Sequence, residues 1–171
     1  MEGINQHIRE AAKGSRAAQQ HIYQKLSPEI LGLCRRYLPQ QAEAEDAMLR
    51  AMYNILTKLD QFRGEASFRT WSRRIATNEC LMQLRKKALE WGEFQEPQGA
   101  NDIGEQHDVD QLMFLIHAMP SGFRAVFNMV AVEGYSHREV AQTLSISEST
   151  SKSQLSRARQ WLQKNMQHDT T

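Results

Sequence analysis

Hydrophobic positions recur at helical spacing along almost the whole of this 171-residue chain. No stretch alternates β-branched with polar residues, and the four prolines and nine glycines are too few to punctuate a β fold. Ser15 stands where an N-cap is wanted, ahead of Ile22, Tyr23 and Leu26 on one face. Ser27-Pro28 has the form of a cap followed by a first-turn proline. It predicts a new helix through Ile30, Leu31, Cys34 and Leu38, ended by Pro39. The clearest apolar face follows, through Met48, Met52, Ile55, Leu56 and Leu59. Glu43, Glu45 and Asp46 lie in its first turn, where the helix dipole favours negative charge. A fourth helix is predicted from about Ser67 to Lys87, with Phe68, Trp71, Ile75 and Met82 inward and several arginines outward.

From about Ala88 to Gln106 the periodicity fails, and Trp91-Gly92-Glu93-Phe94-Gln95-Glu96-Pro97-Gln98-Gly99 reads as acidic linker. The pattern resumes at Val109, Leu112, Met113 and Ile116. Pro120 then opens a helix bearing Phe123, Val126, Phe127 and Val130, which Gly134 closes in a left-handed cap. The expected fold class is all-α: two small helical domains, 1–87 and 108–171, joined by a flexible acidic linker over 88–107.

Charge sharpens this division. Lys and Arg against Asp and Glu number 15 and 9 over residues 1–87, none and 7 over 88–118, and 6 and 4 over 119–171. Basic segments favour a polyanion, and an acidic tether between them is repelled by it; ordinary surface patterning produces the same counts. The longest apolar run, Ala125 to Val132, is broken by Asn128 and falls far short of the ~20 residues a membrane span needs. Met1-Glu2-Gly3-Ile4-Asn5 has no export-signal character. Cys34 and Cys80 form no Cys-x-x-Cys pair and are expected to be buried reduced thiols, which suits the cytoplasm. The six histidines, at 7, 21, 107, 117, 137 and 168, lack metal-ligand spacing. His137 is expected to face solvent. There is no Gly-rich phosphate loop and no nucleophile elbow, so an enzyme is not indicated.

Two stretches carry candidate chemistry. The first, Tyr135 to Thr150 and beyond, has the order of a helix-turn-helix. Ser136 and Glu139 make a capping box; Val140, Ala141 and Leu144 make a short inner face; Ile146 plugs the turn; and Ser147 caps the next helix. That helix buries Leu155, Ala158 and Leu162 and presents Lys152, Ser153, Ser156 and Arg157, as a recognition helix presents polar and basic groups to base edges and phosphates. A plain helical hairpin with solvated cations is the alternative. The second stretch, Leu59 to Asn78, sets a Gly-containing loop with Phe62 before a helix combining aromatics with Arg69, Arg73, Arg74 and Asn78. Aromatic rings beside cations suit unpaired nucleic acid, where stacking contributes ~1–3 kcal/mol per base. By spacing, Phe68 and Trp71 share a face with Ile75 and belong to the core, which leaves Phe62 as the base-contacting candidate.

With these motifs in this order, the chain resembles the extracytoplasmic-function (ECF, group 4) sigma factors over nearly its whole length. Ala44-Glu45-Asp46 and the face from Met48 to Leu59 look like that family's polymerase-binding helix. Phe62-Arg63-Gly64 and Phe68-x-Thr70-Trp71-x-x-Arg74-Ile75-Ala76-x-Asn78 look like its −10 segment. Glu139-Val140-Ala141, Ile146-Ser147 and Thr150-x-Lys152-Ser153-x-Leu155-x-Arg157-Ala158-Arg159 look like its −35 reader. The resemblance implies an alternative sigma factor without catalytic residues, metal or cofactor. Its partners would be core RNA polymerase, promoter DNA (paired at −35, single-stranded at −10) and a cognate anti-sigma factor, with no membrane insertion. It implies polymerase contacts at Glu45, Asp46, Leu49, Arg50 and Tyr53. It implies −10 contacts at Phe62, Arg63, Arg69, Thr70, Arg73, Arg74 and Asn78. It implies −35 contacts at Glu148, Ser149, Thr150, Lys152, Ser153, Ser156 and Arg157.

The chain departs from the family's pattern at Leu49 (often Gln), at Leu56 (an aromatic), at Ser145 (the turn glycine) and at Ser151 (a valine). In a left-handed turn, a residue with a side chain costs ~1–2 kcal/mol relative to glycine. A stand-alone helix-turn-helix regulator with a helical sensory domain would share the C-terminal motif but bind promoter DNA unaided.

Overall fold

The computed structural model describes the backbone of residues 2–91 and 108–166. Eight α-helices lie among the described residues, with no strand: α1 (Glu2–Ala12), α2 (Arg16–Tyr37), α3 (Gln41–Thr57), α4 (Phe68–Trp91), α5 (Asp108–Ala118), α6 (Ser121–Phe127), α7 (His137–Leu144) and α8 (Glu148–Met166). The chain divides into two compact units, Met1–Lys86 and Lys87–Thr171. The linker expected over 88–107 begins within α4 and otherwise lies outside the described residues.

In the first unit, α2 is the central element. Ser15 caps it, its side chain accepting from the Ala18 amide. The break expected at Ser27-Pro28 does not occur: Pro28 sits inside one 22-residue helix. Ile22, Leu26, Ile30, Leu33, Cys34 and Tyr37 make one uninterrupted buried face on both sides of the proline. Burying a large apolar side chain is worth ~1.5–3 kcal/mol, so several together outweigh the ~3 kcal/mol an interior proline costs. Pro28 itself is exposed, so its ring does not disturb this face.

Helix α1, which the periodicity did not announce, packs on α2 through buried Ile8 and Ala11. Gly14, at φ +92°, turns the chain between them. The His7 and His21 rings stack at 4.1 Å, and the Gln19 amide donates to the Ala11 carbonyl at 3.2 Å. Helix α3 buries Ala44, Ala47, Ala51, Met52 and Ile55, leaving Met48 and Leu56 half-buried. The inner face of α4 also differs from expectation. Phe68, Ser72, Ala76, Thr77, Cys80, Leu81 and Leu84 are buried, Trp71 and Ile75 are half-buried, and Met82 is 60% exposed. Between Phe68 and Leu81 the side facing the core is a stripe of small residues, Ser72, Ala76, Thr77 and Cys80, in place of the expected Trp71 and Ile75. Cys34 of α2 and Cys80 of α4 are both buried and free, and the Cys34 hydrogen bond together with burial pushes the Cys80 thiol far up.

The second unit forms around α8, against which α5, α6 and α7 pack. Leu115, Met119, Ala158 and Leu162 are its core, with Phe114, Phe123, Phe127 and Trp161 packed on them. Pro120 is the residue before α6, and a π-helical turn over Asn128–Val132 continues from that helix. Gly134, at φ +77°, reverses the chain, with the Tyr135 amide returning to the Met129 carbonyl at 2.9 Å. Buried Arg124 donates to the His117 carbonyl at 2.6 Å, closing the C-terminal end of α5.

Replacing Pro28 by Ala is expected to return part of the ~3 kcal/mol cost of an interior proline and raise the thermal midpoint. Ile30→Ala, at a site with no exposure, is expected to cost about 2–5 kcal/mol. Circular-dichroism melts of the two variants check both directions.

Candidate nucleic-acid interface

The helix-turn-helix is built as its residue types require. The Ser136 side chain accepts from the Glu139 amide at 3.2 Å, and Glu139 accepts from the Ser136 amide at 2.9 Å, a complete capping box at the start of α7. The turn after α7 places Ser145 at φ 57° and ψ 45°, the conformation the missing glycine would have suited. The Ile146 amide returns to the Ala141 carbonyl at 3.1 Å, and half-buried Ile146 plugs the corner. Ser147 then caps α8, accepting from the Thr150 amide at 3.0 Å.

On α8, Leu155, Ala158 and Leu162 face inward, and Glu148, Ser149, Lys152, Ser153, Ser156 and Arg157 are exposed. Thr150 is half-buried; its hydroxyl and that of Ser149 each lie 2.8 Å from the Ser147 hydroxyl. These two residues therefore help to fix the first turn of α8. Ser151, in the place of a valine, is fully buried, and its hydroxyl meets His137 Nδ1 at 2.9 Å. This corrects the expectation for His137: the ring is half-buried and bridges the two helices of the motif. A polar contact occupies the seat where a hydrophobic one was expected. Neither residue signals this alone, because they are 14 positions apart.

In the first unit, the loop between α3 and α4 passes through a 3₁₀ turn at Leu59–Gln61 and reverses at Gly64, φ +75°. Ser67 caps α4, accepting from the Thr70 amide at 3.0 Å, and its hydroxyl also meets that of Thr70 at 2.8 Å. Phe62, the base-contacting candidate in this loop, is half-buried. Its ring lies 5.4 Å from Phe68 and 5.5 Å from Trp71, edge-on to the first and tilted to the second. The three aromatics form one cluster, so Phe62 is held in place. It also lines a cleft of about 690 Å³ whose walls include Ile22, Lys25, Glu29, Ser67, Phe68 and Arg69. Apolar rings below and charged groups at the rim suit a flat, polar-edged guest.

The cations of α4 separate into two strips. Thr70, Arg74 and Asn78 follow one another at four-residue spacing, and all are exposed; Arg63 is exposed in the loop. Arg69 and Arg73 instead reach across to Glu29 on α2, whose Oε1 lies 2.7 Å from Arg69 Nε and 2.5 Å from Arg73 Nη1. Partial burial pushes the Glu29 carboxyl up, but the hydrogen bonds and charges of Arg73 and Arg69 outweigh it and hold the group below its ordinary range. With the folded value depressed, this stabilisation is complete above the ordinary carboxylate range and is lost as pH falls through the lowered value. Glu29 was not singled out by the sequence, because its two partners lie 40 and 44 positions away.

On α3, Leu49 and Tyr53 are 54% and 69% exposed, an apolar pair one turn apart. Asp46 and Arg50 form an exposed ion pair at 2.5 Å, and Arg50 also donates to Gln83 of α4 at 2.9 Å. Glu45 is half-buried and accepts from Gln41 at 2.7 Å. Asn54 donates to Glu79 at 2.8 Å, so polar pairs line the solvent side of the α3–α4 seam. Among the described residues no group of three or more His, Cys, Asp and Glu is placed to hold a metal ion, and no helix is long and apolar enough to cross a membrane.

The comparison with known proteins follows the division into units. Residues 22–90 match the family Sigma-70 region 2, and residues 110–162 match Sigma-70, region 4. The chain is 26% identical to the ECF RNA polymerase sigma factor SigW of Bacillus subtilis, across 95% of this chain and 96% of the relative. It is 24% identical to the ECF RNA polymerase sigma-E factor of Escherichia coli, across 94% and 92%. The chain belongs to the ECF sigma factor family. Sigma factors of this family are transcription initiation factors: this one directs RNA polymerase to promoters, as an alternative to the principal specificity subunit.

Solved structures agree on the fold. The RpoE sigma factor of Bartonella quintana, in complex with the anti-sigma factor NepR, superposes with a TM-score of 0.62 at 21% identity, covering 88% of this sigma factor and 97% of that chain. CnrH, in complex with the cytosolic domain of CnrY, gives 0.58 at 18% identity, covering 96% and 97%.

Ser145→Gly removes the side chain from a left-handed turn and is expected to stabilise the second unit by about 1 kcal/mol. A higher unfolding midpoint, with the surface of α8 unchanged, is the outcome to look for.

Proposed function

We propose that this group 4 ECF sigma factor acts in the cytoplasm through two separate DNA-reading surfaces. The region 2 unit, taken as 1–87, docks on core RNA polymerase through Glu45, Asp46, Leu49, Arg50 and Tyr53. It holds the unpaired −10 strand with Phe62, Arg63, Arg69, Thr70, Arg73, Arg74 and Asn78. The region 4 unit, taken as 108–171, reads the −35 duplex with Glu148, Ser149, Thr150, Lys152, Ser153, Ser156 and Arg157. The acidic stretch 88–107 is the tether between them.

One observation carries this reading: two compact units, each matching a different sigma-70 region, expose different chemistry. One offers an aromatic-lined cleft whose walls carry Lys25 and Arg69 together with Glu29 and Glu65, and the other a basic helix face behind a capped helix-turn-helix. A cleft suits a base taken out of its stack, and unstacking costs a few kcal/mol per step that the pocket must offset. An exposed helix beginning with hydroxyls and followed by cations suits a major groove. All bond chemistry belongs to the polymerase. An anti-sigma partner fits the same picture, since the similar RpoE structure is a complex with one.

Lys152→Ala or Arg157→Ala is expected to weaken promoter binding by about tenfold, matching 1–3 kcal/mol for a lost base contact. Where the lost contact is to a phosphate, the salt slope should fall by about 0.9. Core polymerase binding should be unchanged, measured by gel shift and by polymerase titration. Phe62→Ala should leave duplex recognition by the holoenzyme intact but reduce permanganate reactivity of unpaired thymines. A melting curve controls for loss of the aromatic cluster. Normal footprints would overturn the loop assignment, and tight specific binding by the free chain would overturn the sigma mechanism.

A further inference from the structure

Glu29 presents one carboxylate to two guanidinium groups that the proposed function gives to the −10 strand. Arg73 is the more enclosed of the two, its side chain 21% exposed, and Arg69 is 69% exposed at the rim of the Phe62 cleft. A carboxylate that accepts from both guanidiniums occupies the place a phosphate oxygen would take, with similar geometry. Glu29 is itself part of the cleft wall, as are Glu65 and Arg69, so a strand entering the cleft meets the Glu29 carboxylate beside Arg69.

Building on the proposed −10 role of this cleft, we propose that Glu29 is a specificity-determining residue: an internal counter-anion that masks Arg69 and Arg73 against indiscriminate binding of single strands. One negative charge set between two positive ones halves the net charge offered to a passing polyanion. Generic affinity depends on the number of cations that displace counterions, at about 0.7 in salt slope per phosphate for a single strand. Masking one of them therefore lowers affinity for any strand alike. Contacts that depend on base identity, made through the cleft and through Arg74 and Asn78, are left in place. The strand's phosphate must exchange with Glu29 at exposed Arg69, while enclosed Arg73 stays tied to α2. Discrimination rises because the sequence-independent part of the binding falls.

The full-length chain, titrated with fluorescent oligothymidylate over a range of salt concentrations, tests this. Glu29→Gln keeps the shape and an acceptor oxygen but removes the charge. It is expected to bind severalfold more tightly than the parent, with a salt slope steeper by about 0.7. Arg69→Gln should weaken binding by a larger factor in Glu29→Gln than in the parent, because only there does the Arg69 charge meet the strand without a competing carboxylate, and it should remove the gain that Glu29→Gln brings. Glu10→Gln, an equal change in net charge at an exposed site on α1, should leave the slope unchanged. Four results would overturn the proposal: parent and Glu29→Gln titrating alike, neither binding, a gain that survives Arg69→Gln, or a gain matched by Glu10→Gln. Weaker binding by Glu29→Gln with a lowered melting midpoint would also overturn it, making the carboxylate a structural tie. The −10 reading itself is judged separately by the permanganate footprints of Phe62→Ala holoenzyme, so the two can fail independently.

Discussion

The first unit depends on α2 remaining one helix through Pro28. Its inner face is continuous from Ile22 to Tyr37, and residues along the helix carry the ties to its neighbours. His21 stacks on α1, Cys34 meets Cys80, and Glu29 gathers Arg69 and Arg73 at the start of α4. A break at Ser27 would turn Glu29 and Ile30 away from the first half of the helix, and the cleft beside Phe62 would lose a wall. Burial decides the matter because local cost at one exposed proline competes with several apolar side chains at once.

The second unit solves a different problem, the setting of α8 against α7. A valine at position 151 would provide this by apolar contact; here the buried Ser151 hydroxyl and His137 provide it by a hydrogen bond. A buried hydroxyl without a partner is costly, so His137 and Ser151 are best understood as one feature. The Ser145 turn shows the same economy, keeping the left-handed geometry although its residue does not favour it. Both departures conserve the exposed face of α8, where Lys152, Ser153, Ser156 and Arg157 lie together.

The two surfaces also differ in how rigidly they are prepared. On α8 the cations are exposed with their capping hydroxyls already ordered, as suits a partner whose shape varies little along the duplex. In the first unit the aromatic cluster and Glu29 hold the cleft wall in a fixed arrangement. Preorganisation of this kind lowers the cost of ordering side chains on binding. Thr70, Arg74 and Asn78 form a second, exposed strip on the same helix.

Much of this was legible from residue order alone. Helical class, the Ser15 cap, the Ser136–Glu139 box, the Gly134 and Ser145 turns and the outward set on α8 follow from local rules that act within about one helical turn. What lay beyond one turn was not legible. The continuity of α2, the docking of α1, the choice of small residues for the inner side of α4, the exposure of Met82 and the pairings of Glu29, Cys34 and His137 all join positions far apart in the chain. The sequence by itself determined the all-helical class and the caps that start α2 and α7, because periodicity and capping are local. Only the tertiary structure decided that Arg69 and Arg73 are answered by Glu29, because charge pairing depends on distance in space.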